Sequence, residues 1–185
     1  TVGDYDGDGL LDVAALDPKS NAVSVLLNAD NERFNAFIYT VSGRIRLLRT
    51  GDFDGDGTDD LVFVEEDAVG STLQVVYGGP ALGISQPIDM GQLAAIRSVE
   101  PGFLGLGGVI ETDARTDLAL GISSSKNPSL VDALALVQGM ASRRMFAPLY
   151  TQALDESRLD PAAVSIGTFA GDDRRADLVF VGSGG

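Results

Sequence analysis

The stretch Asp4-Tyr5-Asp6-Gly7-Asp8-Gly9-Leu10-Leu11-Asp12 returns 48 residues later as Asp52-Phe53-Asp54-Gly55-Asp56-Gly57-Thr58-Asp59-Asp60. Each copy runs into a short apolar segment, Val13-Ala14-Ala15-Leu16 in the first and Leu61-Val62-Phe63-Val64 in the second. Carboxylates fall at positions one, three, five and nine: Asp4, Asp6, Asp8 and Asp12, then Asp52, Asp54, Asp56 and Asp60. Four carboxylates this close repel one another unless water or a cation intervenes. A hard cation that accepts about six to eight oxygens at roughly 2.3–2.6 Å suits them, which is Ca²⁺. Mg²⁺ demands a tighter octahedron and keeps its waters.

The spacing accounts for the residue types. Alternate Asp residues on a curling backbone aim three carboxylates inward. Gly9 and Gly57, after the third Asp, permit a sharp turn that a Cβ resists. The carbonyls of Leu10 and Thr58, at position seven, supply neutral oxygens, and Asp12 and Asp60 close the loops. Two Ca²⁺ sites are therefore expected. An EF-hand is excluded, because it needs a bidentate Glu at position twelve, where Ala15 and Phe63 stand. The apolar runs that follow read as buried strands rather than helices.

A repeat of this length points to a propeller or a solenoid. Tyr5 and Phe53 are followed by Phe103 after 50 residues and Phe169 after a further 66, each ahead of an Asp and an apolar strand. The strands expected between these anchors are 21–28, 34–41, 45–50, 61–64, 72–77 and a weaker 84–90, then 93–99, 118–122, 130–138, 144–151, 163–169 and 178–181. A helix over 131–141 is compatible with local composition, but the repeat argues for a strand. Four strands per repeat is blade geometry.

The expectation is one all-β domain, a β-propeller segment of about three and a half four-stranded blades, with repeats at approximately 1–43, 44–91, 92–152 and 153–185. The first blade shows strands two to four, and the last shows strands one and two. Propellers hide their edges by closing a ring, so further blades or another chain are expected at the open edges.

The third loop, from Phe103 to Leu118, carries Gly105, Gly107 and Gly108 but loses the Asp alternation, and its Glu111 and Asp113 read as solvated acids. The fourth, around Asp172 and Asp173, lacks the first two carboxylates and gains Arg174 and Arg175. Neither is expected to hold Ca²⁺. Asp117 and Asp177 nevertheless precede their strands, which suggests that an Asp at this place also accepts loop N–H groups without metal.

Composition narrows the function. The net charge is −14, with eight of 27 acidic residues at positions one, three, five and nine of the two loops, and an acidic chain is a poor nucleic-acid ligand. There is no Cys, hence no disulfide framework, and no His, which removes the commonest general base and His-ligated zinc. No apolar run approaches membrane-spanning length. The start at Thr1, without Met, fits removal of a targeting peptide.

The two motifs, Asp4 to Val13 and Asp52 to Leu61, resemble the FG-GAP/VCBS repeat of the integrin α-chain N-terminal propeller and of many bacterial surface proteins. The resemblance implies a loop between the first and second strands of a blade, with Ca²⁺ held at its edge by the eight Asp residues and the carbonyls of Leu10 and Thr58. It does not extend to the ligands of repeats three and four. Members of that family are mostly adhesion and recognition modules. Some are lectin-like and some are attached to enzymes.

The function expected is a non-enzymatic, extracellular, cell-surface or periplasmic Ca²⁺-binding module for adhesion or recognition of a protein or glycan. The alternative is a carbohydrate-active protein, either a lectin-like binder or the propeller of a glycan-cleaving enzyme. Sites of this open type bind at about 10⁻⁴–10⁻³ M, far above cytosolic Ca²⁺.

Other chemistry reads as scaffold. Ser123-Ser124-Ser125-Lys126 matches Ser-x-x-Lys, but its usual partner motifs are missing and Asn127-Pro128 continues a turn. A carboxylate pair of the glycosidase kind need not be close in sequence, yet the loop aspartates are better explained as ligands. Tyr39, Tyr77 and Tyr150 read as half-buried strand residues, and Arg44, Arg46, Arg49 and Arg143–Arg144 as strand faces balancing acids.

Overall fold

In the computed structural model the described residues are 1–29, 33–80, 82–84, 88–89, 95–102, 115–123, 133–138, 147–153, 164–167 and 177–180. Their regular structure is entirely β. The first sheet is β1 (Val2–Gly3), β2 (Asp12–Asp17), β3 (Ala22–Asn28) and β4 (Phe34–Thr40). The second is β5 (Arg44–Gly51), β6 (Asp60–Glu66), β7 (Ser71–Tyr77) and β8 (Gly83–Ile84), with β9 (Ile88–Asp89) also paired to β7. The third is β10 (Ala95–Gly102), β11 (Asp117–Ser123), β12 (Ala133–Gln138) and β13 (Ala147–Ala153), and β14 (Val164–Gly167) pairs with β15 (Asp177–Phe180).

Within each sheet, chain neighbours pair antiparallel, as in the blades of a β-propeller. The first blade has four strands rather than the three expected, because Val2–Gly3 pairs with Val13 and Asp12. The strand expected over 84–90 is divided into β8 and β9, which pair with opposite ends of β7. Residues 133–138 form a strand, as the repeat requires. The two-stranded sheet lies beside β10 and β11 and shares no pairing with the first blade among the described residues. The expected strand ends beyond these bounds, residues 103–114 of the third loop with Phe103, Glu111 and Asp113, and residues 168–176 of the fourth with Asp172, lie outside the described residues.

The blades pack face on face, and register makes their positions equivalent. Asp12 faces Gly3 as Asp60 faces Gly51 and Asp117 faces Gly102. Val13, Leu61 and Leu118 therefore correspond. Val23 and Val25 of the first blade pack on Ile45, Leu61, Phe63 and Val76 of the second. The other face of the second blade, through Val62, Leu73 and Val75, packs on Ile96, Leu118 and Leu120 of the third.

This sandwiching explains why the second strand of blade two reads as a continuous apolar run, Leu61-Val62-Phe63-Val64, buried on both faces. In the first blade β2 alternates, with Ala14 buried while Val13 and Ala15 are exposed. The short turns are polar and self-bonded. Asp17 accepts from the Lys19 N–H at 2.9 Å and the Ser20 hydroxyl at 2.6 Å. Arg46 pairs with Glu66 at 2.9 Å, and Arg49 reaches Glu100 on the neighbouring inner strand at 3.7 Å. These half-exposed pairs balance charge and add little stability.

The equivalence makes a test. Leu61→Ala should lower the unfolding free energy by about 2–5 kcal/mol. Val13→Ala, at the same blade position on an open face, should cost no more than about 0.5 kcal/mol. Chemical denaturation of both variants measures the difference.

Candidate metal centre

The two Asp-rich loops connect the first and second strands of blades one and two, and they repeat bond for bond. The Asp4 carboxylate accepts from the N–H groups of Gly7 (2.8 Å), Asp8 (3.1 Å) and Gly9 (2.9 Å). Asp52 accepts from Gly55 (2.6 Å), Asp56 (3.2 Å) and Gly57 (3.0 Å). Asp6 and Asp54 accept from the N–H of Asp8 and Asp56, and Asp8 and Asp56 accept from Leu10 and Thr58. Each carboxylate thus folds the backbone round itself before any ligand is considered.

Two glycines per loop carry the curl. Gly9 (φ 85°) and Gly57 (φ 88°) are left-handed, as the sequence suggests, and so are Gly7 (φ 81°) and Gly55 (φ 77°). The second pair is also crowded from outside. A Cβ on Gly7 would lie 3.3 Å from Thr58 Oγ1, and one on Gly55 would lie 2.7 Å from Arg115 Cγ.

Asp4, Asp6 and Asp8 each offer an oxygen within 4.8 Å of the others, and so do Asp52, Asp54 and Asp56. Oxygens sharing one cation at about 2.4 Å lie no more than about 4.8 Å apart, so each trio could hold a single metal ion. The donors are all hard oxygens, and a softer metal would seek N or S instead. Leu10 and Thr58 follow in the same turns, with Thr58 buried.

Asp12 and Asp60 have another task. Asp12 is fully buried; its Oδ2 accepts from the Tyr5 N–H at 2.8 Å and its Oδ1 from the Asn28 N–H at 2.8 Å. Asp60 does the same with Phe53 at 2.8 Å and Gly78 at 2.7 Å. Each carboxylate joins the start of its loop to the end of the third strand. Asp117, the equivalent residue of blade three, is likewise buried at the head of its strand. A carboxylate holds about four lone-pair sites, so two N–H bonds leave room for a cation as well.

Burial pushes the Asp60 carboxyl up to about 7, the charges of Asp54 and Asp52 push the same way, and the N–H bonds from Gly78 and Phe53 pull back. Burial also raises Asp52, against the pull of the Gly57 and Gly55 N–H groups, and Asp6, against that of Asp8. Asp17 is lowered by the Ser20 hydroxyl and the Lys19 N–H.

Sequence reasoning picked out the two carboxylate trios that could hold a metal ion and missed several features around them. Gly78 is the second anchor of Asp60. Gly7 and Gly55 curl the loops. Asp59, which the motif leaves without a role, bonds to Asp4 in the neighbouring blade.

A group whose folded pKa lies above its unfolded value stabilises the fold below the unfolded value and loses that contribution as pH rises through the folded one. Metal-free protein should therefore lose stability between about pH 4 and pH 7 through Asp60, Asp52 and Asp6, with Asp17 opposing weakly near pH 4. In chelator, the denaturant midpoint should be lower at pH 7.5 than at pH 5, and Asp60→Asn should flatten the slope. A midpoint that is level with pH would contradict this.

Residues 4–63 match the model of the FG-GAP-like repeat family. The match takes in the first loop, the rest of blade one, and the second loop as far as Phe63. FG-GAP repeats form β-propeller blades, in agreement with the sheets described. No curated protein matches the sequence.

Proposed function

We propose, from the premise that residues 4–63 are an FG-GAP-like repeat, that the chain is a Ca²⁺-binding β-propeller module of the cell exterior, serving adhesion or ligand recognition without catalysis. The observation that carries this reading is the pair of carboxylate trios built by identical bonding in successive blades. Asp4, Asp6, Asp8, the Leu10 carbonyl and Asp12 would hold one ion. Asp52, Asp54, Asp56, the Thr58 carbonyl and Asp60 would hold the other. The metal would neutralise the loop charges and fix the mouths of β2 and β6. The absence of His and Cys from the sequence supports a binding role over a catalytic one. The weak, open character of such sites suits millimolar extracellular Ca²⁺.

The open face of blade one supports a further blade as partner. Val13, Leu26 and Ile38 stand on that face and are 39%, 37% and 67% exposed. Their equivalents on blade two, Leu61 and Val76, are fully buried under blade one. By analogy with the way blade one covers blade two, the trailing side of another blade would cover this face, whichever polypeptide carries it. Ile38→Asp with Leu26→Asp should reduce binding of an apolar dye and leave the melting temperature nearly unchanged. A fall as large as that of Leu61→Ala would mean that the face is already covered.

Calorimetry should give close to two Ca²⁺ per chain. At about 1–2 mM Ca²⁺ and a Kd near 10⁻⁴ M, each site adds about 1.5–2 kcal/mol of stability. Asp8→Ala and Asp56→Ala should each remove one site, whereas Asp172→Ala should leave the response intact. On arrayed extracellular proteins and glycans, retention should require Ca²⁺. Melting curves that overlay in Ca²⁺ and in chelator would reduce both loops to acidic turns.

A further inference from the structure

The two loops are not separate. Asp59, position eight of the second loop, forms a reciprocal pair with Asp4, position one of the first. Its carboxylate Oδ2 accepts from the Asp4 N–H at 3.0 Å, and its own N–H donates to the Asp4 carbonyl at 2.9 Å. One residue on, Gly79 N–H donates to the Tyr5 carbonyl at 2.9 Å. The fit is close. A Cβ on Gly3 would fall 2.7 Å from Asp59 Oδ2, and one on Gly78 would fall 2.4 Å from the Asp59 carbonyl. The first loop therefore begins on a ledge made by the last turn of the second.

The next junction repeats only half of this. Thr116, the blade-three equivalent of Asp59, donates its N–H to the Asp52 carbonyl at 2.6 Å and sets its methyl against Gly51. A threonine has no carboxylate to complete the reciprocal pair. Among the described residues, the full clamp occurs at the junction between the two loops that carry carboxylate trios.

We infer that Asp59 is a positioning residue that couples the two Ca²⁺ loops, so that an ion in the second loop tightens binding in the first. This rests on the calcium reading proposed above. The physical route is short. Asp59 stands between Thr58, whose N–H is held by Asp56 Oδ1 at 2.9 Å, and Asp60, whose carboxylate is fixed by Phe53 and Gly78. An ion drawing in Asp56 and the Thr58 carbonyl fixes the backbone on both sides of Asp59. Asp59 then holds the Asp4 N–H and carbonyl, and with them the residue whose side chain organises Gly7, Asp8 and Gly9. The first loop is pre-organised at no cost to its own ion. By linkage, an ion in the first loop tightens the second by the same factor.

The test is a Ca²⁺ titration of the full chain followed by amide resonances, with Gly7 and Gly9 reporting the first loop and Gly55 and Gly57 the second. In the wild-type background, Asp56→Ala should weaken binding at the first loop by about fivefold or more. Asp59→Thr copies the residue that the next junction already tolerates, keeping the backbone bond and removing the carboxylate. In that background Asp56→Ala should no longer change the first loop's midpoint. Asp59→Asn, which retains an accepting oxygen, should restore the dependence. Gly3→Ala, which displaces Asp59 from the other side, should abolish it. Midpoints of the two loops that are independent in the wild type, or a dependence that survives in Asp59→Thr, would overturn the coupling alone. No shift of either glycine pair at millimolar Ca²⁺ would overturn the calcium reading and the coupling with it.

Discussion

A single buried carboxylate at the head of each second strand, Asp12 or Asp60, accepts one N–H from the start of its own loop and one from the end of the third strand. Everything near the loops is placed by that arrangement. It brings Tyr5 and Phe53 down into the blade interfaces, where both are fully buried. It also fixes where the loop leaves the sheet and where it returns, so the intervening residues must curl. A buried carboxylate is costly unless its oxygens are bonded, and here both are bonded to backbone donors that would otherwise be orphaned. The rise of the Asp60 pKa shows that two bonds do not wholly offset burial beside other carboxylates.

The remaining carboxylates are held open by their own backbone. Asp4 and Asp52 each gather three N–H groups, and the left-handed glycines remove the Cβ atoms that would block the curl. The outcome is a trio of carboxylate oxygens within 4.8 Å of one another on a hydrogen-bonded loop. Backbone bonds formed before binding reduce the ordering cost that a cation at such a trio would have to meet.

Blade packing then places one loop against the next. The last turn of the second loop meets the first residues of the first loop because the blades stack in register, each offset from its neighbour by one repeat. The same stacking buries both faces of β6 and leaves one face of β2 open, although both strands follow the same kind of loop.

The loop spacing by itself determined the carboxylate trios, the strands that follow them and the repeat of the first two blades. These are local matters: alternation of carboxylates, glycine where the chain curls, and apolar runs of strand length. The FG-GAP-like character of residues 4–63 was legible for the same reason. Only the tertiary structure decided which partners lie far along the chain. Asn28 and Gly78 are 16 and 18 residues from the aspartates they bond, and Asp59 is 55 residues from Asp4. Backbone N–H groups carry no side-chain signature, so Asn28 and Gly78 could not be read as anchors. Asp59 falls outside the alternating positions of the motif, and its partner is set by blade stacking. The short strand Val2–Gly3 escaped notice for the same cause, since two residues have no periodicity and gain their identity from pairing with Val13 and Asp12.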